Sequence, residues 1–228
     1  MTSRPVFGVS SAEPWFTETN IHFEWTRGQH YTRRQLCADA LYLEAENVLG
    51  VSDILEVSTY SRSLLGQSLS AMNLTFFEGS YAQRTVEHAY QASKVFAMGG
   101  PFLDILQYDN PRNAKRDPRL TTSGRMMGFD LGRLRLDVSC GSSAYDAIYI
   151  AALGQNQHLI DDLSRYRYFT DIAFNPQTML ATQARSLAIA VSLAELNIDL
   201  PTDPREVYDC LINHDFIAPT VARQYALF

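Results

Sequence analysis

Glu87, Gln91 and Lys94 lie in the stretch VEHAYQASK at positions i, i+4 and i+7. At about 100° per residue that spacing aligns all three on one stripe of a helix, with carboxylate and amine roughly 10 Å apart along the axis. A carboxylate, an amide and an amine on one side can reach a shared ligand. Arginine does almost every other cationic job in this chain: Lys94 and Lys115 are the two lysines among 19 basic residues. A guanidinium stays protonated at any working pH, so a reactive amine has to be a lysine. The same triplet also describes an ordinary hydrated helix face.

Further candidates stand on either side. Upstream, Ser70 and Asn73 in LSAMNLTFFEG can hydrogen-bond ligand hydroxyls, and Phe76 or Phe77 can stack on a base, although aromatics also build cores. Downstream, residues 112–135 hold Arg112, Lys115, Arg116, Arg119, Arg125, Arg133 and Arg135 against Asp117 and Asp130. That segment is +5 in a chain of net charge −6, so the remainder carries −11. Such a patch suits a phosphate-bearing ligand or a short contact with a nucleic-acid backbone, or it simply faces water. The overall acidity argues against coating nucleic acid by bulk electrostatics.

Other chemistries lack their residues. There is no phosphate-binding G-x-x-x-x-G-K loop, no H-E-x-x-H, no G-x-S-x-G and no G-x-G-x-x-G. His88 points about 100° away from Glu87 on a helix and reads as a packing or solvent residue. No metal and no cofactor is expected. Cys37, Cys140 and Cys210 are widely spaced and odd in number, which fits reduced thiols.

The elements that must position these groups follow from periodicity and punctuation. Phe16, Ile21, Phe23 and Trp25 are strand-like within residues 4–30. Thr32 to Val48 reads as an amphipathic helix, with Leu36, Ala40, Leu43 and Val48 recurring and Gly50 as its stop. Ile54 to Tyr60 reads as a strand, and Leu69 to Gly79 as an ordered loop. A helix capped by Thr85 is expected to run to Gly99-Gly100-Pro101. Beyond Pro118 the chain reads as loop until about Ser142. Helices are then expected over Tyr145–Leu163, Thr178–Leu196 and Asp203–Ile212, the last capped by Asp203 with Pro204 behind it.

The pattern is α+β and predominantly helical, with few short strands and no βαβ alternation. With 46% hydrophobic and 19% charged residues, 228 residues suffice for one domain over 1–228, its motif core at about 60–200 and residues 1–60 packed on it as an extension. No apolar run approaches the roughly 18 residues of a membrane span, and MTSRPVFGVSSAEPW lacks a signal-peptide layout, so the expected location is cytoplasmic.

The motifs together resemble a family. VEHAYQASK is similar to the E-H-x-x-Q-x-x-K motif of the NADAR superfamily, the YbiA-like N-glycosidases. LSAMN resembles that family's Ser-Asn-Phe loop, PRNAKR its Ala-Lys-Arg segment and AALGQNQHL its Q-N-rich helix. RPVF, LEVSTYS, ASKVFAMGGP, AKRDPRL, FTDIAFNP and TQARSLA further resemble the branch associated with DarT-type DNA ADP-ribosyltransferase toxins. The resemblance covers roughly residues 4–200.

It implies a compact, mainly helical NADAR-like fold and an antitoxin enzyme removing ADP-ribose from guanine bases in DNA, functionally paired with such a toxin. Glu87 and Lys94 match the family's catalytic pair and Gln91 the intervening glutamine. Ser70, Asn73, Phe76, Tyr90, Tyr145, Asn156, Asp171 and Asn175 are the implied substrate contacts, with Arg112, Lys115, Arg116 and Arg119 for pyrophosphate or DNA phosphates. The family's tryptophan before the Q-N helix has no clear match, Tyr145 or Tyr149 standing nearest, and its Asp-x-x-Trp-Gly is absent. Two alternatives stand beside this reading: an N-glycosidase of a small nucleotide-derived metabolite, and an antitoxin that binds its toxin without chemistry.

Overall fold

The computed structural model describes residues 2–13, 15–28 and 30–217. β1 (Thr2–Val9) and β2 (Phe16–Phe23) form an antiparallel hairpin. α1 (Tyr31–Leu49) ends where Gly50 takes a left-handed φ of 69°, which costs glycine little for want of a Cβ. β3 (Ile54–Glu56) and α2 (Leu64–Ser68) lead through a hydrogen-bonded loop to α3 (Val86–Ala92). β4 (Lys94–Phe96), α4 (Pro111–Lys115), α5 (Arg119–Thr122), β5 (Met126–Asp130) and β6 (Arg135–Asp137) make up the middle of the chain. α6 (Ser143–Gly154), α7 (Gln157–Leu163), β7 (Tyr168–Thr170), α8 (Gln183–Glu195) and α9 (Pro204–Asn213) complete it.

The fold is α+β with two small sheets, ordered β2-β1-β7-β3 and β4-β5-β6. β7 lies between β1 and β3 in the first sheet, antiparallel to β1 and parallel to β3. The main core lies around α6 and α8, where Ile148, Tyr149, Leu153, Leu187 and Ile189 are fully buried. Cys37, Cys140 and Cys210 are free thiols. Among the described residues no helix is long and apolar enough to cross a membrane.

Several expectations change. The helix capped by Thr85 ends at Ala92, and Lys94 begins a strand whose partner is Phe129. Val95 and Phe96 favour the extended chain, and the return at Gly100 brings its Cα so close to the Lys94 carbonyl that a Cβ would sit 2.4 Å away. Residues 118–142, expected as loop, contain β5 and β6. The strand from Ile54 stops at Glu56, and Asn156 divides the expected 145–163 helix, its amide donating to the carbonyls of Ala152 and Thr75. The face of α1 is opposite to expectation. Cys37, Ala38, Leu41 and Ala45 are buried, whereas Leu36, Leu43 and Val48 are 47%, 57% and 62% exposed.

Candidate active site

The loop after α2 is clamped between two helices. The Glu87 amide donates to the Ala71 carbonyl at 2.9 Å and the Val86 amide to that of Leu74 at 2.9 Å, so the open turn of α3 finds its acceptors in this loop. From the other side, the Ala71 amide donates to Gln183 Oε1 at 2.7 Å, at the start of α8. Ser70 and Met72 are thereby held against α3, over a cavity of about 540 Å³.

Glu87, Tyr90, Gln91 and Lys94 form one wall of that cavity. Gln91 Nε2 donates to Glu87 Oε1 at 2.7 Å, and Lys94 Nζ donates to Gln91 Oε1 at 2.8 Å. The amide thus joins a buried carboxylate to the lysine. Lys94 Nζ also sits 4.5 Å from the centre of the Tyr90 ring. Burial pulls the Lys94 amine down to about 8, Glu87 opposing and Lys115 assisting. Lys115 Nζ lies 3.9 Å from Glu87 Oε1, bringing a second cation to the same carboxylate. Tyr145 closes the wall by meeting Tyr90 edge-on, their centroids 5.0 Å apart.

The rest of the lining carries hydroxyls and an acid. Ser58, Thr59, Tyr60, Asp171 and Thr182 supply them. Asp171 is buried and accepts from Thr182 Oγ1 at 3.0 Å and from the Ala173 amide at 3.0 Å. Behind it, buried Glu56 accepts from Thr170 Oγ1 at 2.7 Å and the Ile172 amide at 3.0 Å. Burial raises both carboxyls above the usual range, and the negative charge of Asp171 raises Glu56 further.

Of the residues singled out from sequence, Ser70, Glu87, Tyr90, Gln91, Lys94, Lys115, Tyr145 and Asp171 meet at this cavity, and Arg112 joins them. Six others do not. Asn73 is exposed, its amide donating to the Gln67 carbonyl at 2.7 Å. Phe76 is buried against Tyr81, and Asn156 is committed to the two carbonyls that divide α6 from α7. Asn175 accepts the Gln177 amide at 3.2 Å in a local turn. Arg116 is exposed away from the lining, and Arg119 is tied to Asp117 and Asp104, each at 2.7 Å. Tyr149 is no wall residue either; its hydroxyl donates to the Leu69 carbonyl at 2.6 Å. His88 is structural, its ring nitrogens 2.9 Å from Thr85 Oγ1 and 3.0 Å from the Tyr108 carbonyl.

Sequence reasoning did not find Glu56, Ser58, Tyr60 or Gln183 as site residues. Usable signals were the stretch LEVSTYS, which holds Glu56, Ser58 and Tyr60, and Thr182-Gln183, polar at the head of an apolar helix. Among the described residues no group of three or more His, Cys, Asp or Glu is placed to hold a metal ion.

A lysine drawn toward neutrality, joined through an amide to a buried carboxylate, thus faces a cavity of hydroxyls and cations on this small α+β frame. Residues 2–212 match the family model of the DarT1-associated NADAR antitoxin, and the chain belongs to that family. No curated protein matches it.

Proposed function

We propose that this antitoxin is an N-glycosidase that removes ADP-ribose from guanine bases in DNA and so reverses the modification made by a DarT1 toxin. The observation that carries the reading is the Lys94 amine, held at a cavity wall by Gln91 with its pKa lowered to about 8. An appreciable fraction is therefore neutral and nucleophilic near physiological pH.

In the proposed reaction the Lys94 lone pair forms a bond to the ribose anomeric carbon. The glycosidic C–N bond breaks, and its electron pair leaves with the guanine nitrogen, which takes up a proton. Glu87 is the carboxylate that stabilises positive charge building on the sugar. The ring then opens to an imine on Lys94, with the ring oxygen protonated. Water adds to the imine carbon, the carbon–lysine bond breaks, and ADP-ribose departs as the free amine returns. The net change consumes one water. Arg112 and Lys115, at the cavity edge, are assigned to the pyrophosphate. The whole chain serves as one unit acting in the cytoplasm, where the toxin meets its DNA.

The test is incubation of purified protein with an oligonucleotide carrying ADP-ribosyl-guanine. The expected product is the unmodified oligonucleotide mass together with free ADP-ribose. An unchanged mass, with the toxin inhibited by a stable complex, would make the protein a binding antitoxin instead. Cleavage of a free nucleotide metabolite but never of the oligonucleotide would assign a small substrate.

A further inference from the structure

Polarity and depth are inverted in the cavity. Ser58, Ser70, Glu87, Gln91, Asp171 and Thr182 are buried in it. Every leucine and methionine of the lining, Met72, Leu120, Met126, Met179 and Leu180, is instead half-buried or exposed. Acids, amide and hydroxyls therefore lie deep, and apolar side chains stand at the mouth. The polar floor suits a sugar, whereas apolar side chains left in water gain by covering a flat base. Leu180 stands furthest out of the five, 61% exposed.

The loop that carries Leu180 is anchored on both sides. In FNPQTMLAT the Asn175 side chain accepts the Gln177 amide at 3.2 Å, and the Asn175 carbonyl accepts the amides of Thr178 and Met179 at 3.1 and 2.9 Å. The Met179 sulfur in turn accepts the Asn175 amide at 3.4 Å, and two residues beyond Leu180 the Thr182 hydroxyl donates to Asp171. Leu180 is thus held out between two fixed neighbours, and little order remains to be lost when it meets a ligand. Free positive charge shares this cavity. Arg112 on the lining and Arg116, four residues on at the end of α4, are exposed, and neither side chain has a partner among the described residues. Arg119 and Arg135 of the same segment are held by carboxylates.

We infer that Leu180 takes the place of the modified guanine in its own strand. As that base enters the cavity to bring its glycosidic bond to Lys94, the leucine stacks on the neighbouring base and fills the gap, while Arg116 holds a flanking phosphate. This rests on the proposed function for its substrate, and it makes Leu180 the residue that selects a DNA strand over a free nucleoside. A base that reaches the amine of a cavity wall has to leave its stack, and an apolar side chain inserted at the vacated step offsets part of the cost of unstacking. An exposed leucine with free guanidiniums matches an anionic polymer of flat bases.

The experiment uses full-length protein in an inactive Glu87→Gln background and a single-stranded oligonucleotide carrying ADP-ribosyl-guanine with 2-aminopurine as the next base. The fluorescence of 2-aminopurine rises when it loses its stacked neighbour base, so binding is expected to brighten it. Leu180→Ala, at an exposed position, is expected to remove most of that brightening and to weaken binding about tenfold, and Leu180→Met to retain both. Arg116→Gln is expected to reduce the salt slope of binding by about 0.7, the share of one phosphate on a single strand. In the active background, Leu180→Ala should lower the ratio of oligonucleotide to ADP-ribosyl-guanosine turnover about tenfold. Wild-type brightening and affinity in Leu180→Ala would overturn the inference, as would equal loss on both substrates, which places the leucine on ADP-ribose. Loss of toxin binding in Leu180→Ala with strand binding intact would make it a protein contact instead, and an unchanged salt slope in Arg116→Gln would overturn the phosphate contact. Because fluorescence needs no turnover, a wild-type protein that unstacks the strand through Leu180 yet cleaves nothing would refute the proposed chemistry alone.

Discussion

Lys94 Nζ and Gln91 Oε1 are 2.8 Å apart, and the same glutamine donates its amide to Glu87. The neutral amide keeps the buried carboxylate from pairing directly with the amine through that path. Lys94 therefore retains the low pKa that burial gives it, where a direct ion pair would restore the ammonium.

Replacing the amide by a carboxylate tests this directly. In Gln91→Glu a negative charge stands at hydrogen-bond distance from Lys94 and favours its protonated form. The midpoint of the pH–rate profile should move upward by at least about one unit, with folding retained. A midpoint that stays in place would remove Gln91 from the control of Lys94.

The wild-type profile has a defined direction. A lysine is reactive when deprotonated, so turnover should rise with pH, about tenfold per unit well below the midpoint, and level off above about 8. Single-turnover rates across pH 6 to about 10 measure it. Activity that falls over this range would point to an essential acid rather than a basic amine.

Glu87→Gln keeps the shape of the side chain and removes its charge. Turnover should fall on the order of a hundredfold or more while the thermal midpoint stays near wild type. Unfolding as the cause of the loss, read by circular dichroism, would make Glu87 a structural residue.

Glu56 makes a prediction about stability. Its folded pKa is raised by burial and by Asp171, so the folded protein holds a proton that the unfolded chain releases. That contribution is present below the unfolded carboxylate pKa and is lost as pH rises through the raised folded value. Glu56→Gln keeps an acceptor for the Ile172 amide and abolishes the titration. The variant should melt less pH-dependently than wild type and gain on it toward alkaline pH, as differential scanning fluorimetry can measure. Parallel melting curves at every pH would contradict the assignment.

What is legible in the sequence depends on separation along the chain. Glu87, Gln91 and Lys94 were legible because one turn of helix and its exit bring them together, and the caps at Thr85 and Asp203 and the stop at Gly50 are local signals. The partnership of Glu56 with Asp171 spans β3 and β7, and no local pattern announces it. Arg119 looked like a ligand cation because its acids, Asp104 and Asp117, are assigned only by the fold. In α1 two stripes of apolar residues share the same period, so spacing identified the helix and not its inner face. β5 and β6 are too short and too close to glycine turns for alternation to register.

The most direct measurement is borohydride trapping during turnover of ADP-ribosylated oligonucleotide, followed by peptide mass spectrometry. A reduced ADP-ribosyl adduct is expected on the peptide containing Lys94, together with loss of turnover in Lys94→Arg, which keeps the charge and removes the nucleophile. An active enzyme that never yields the adduct and whose arginine variant turns over near the wild-type rate would contradict this role of Lys94.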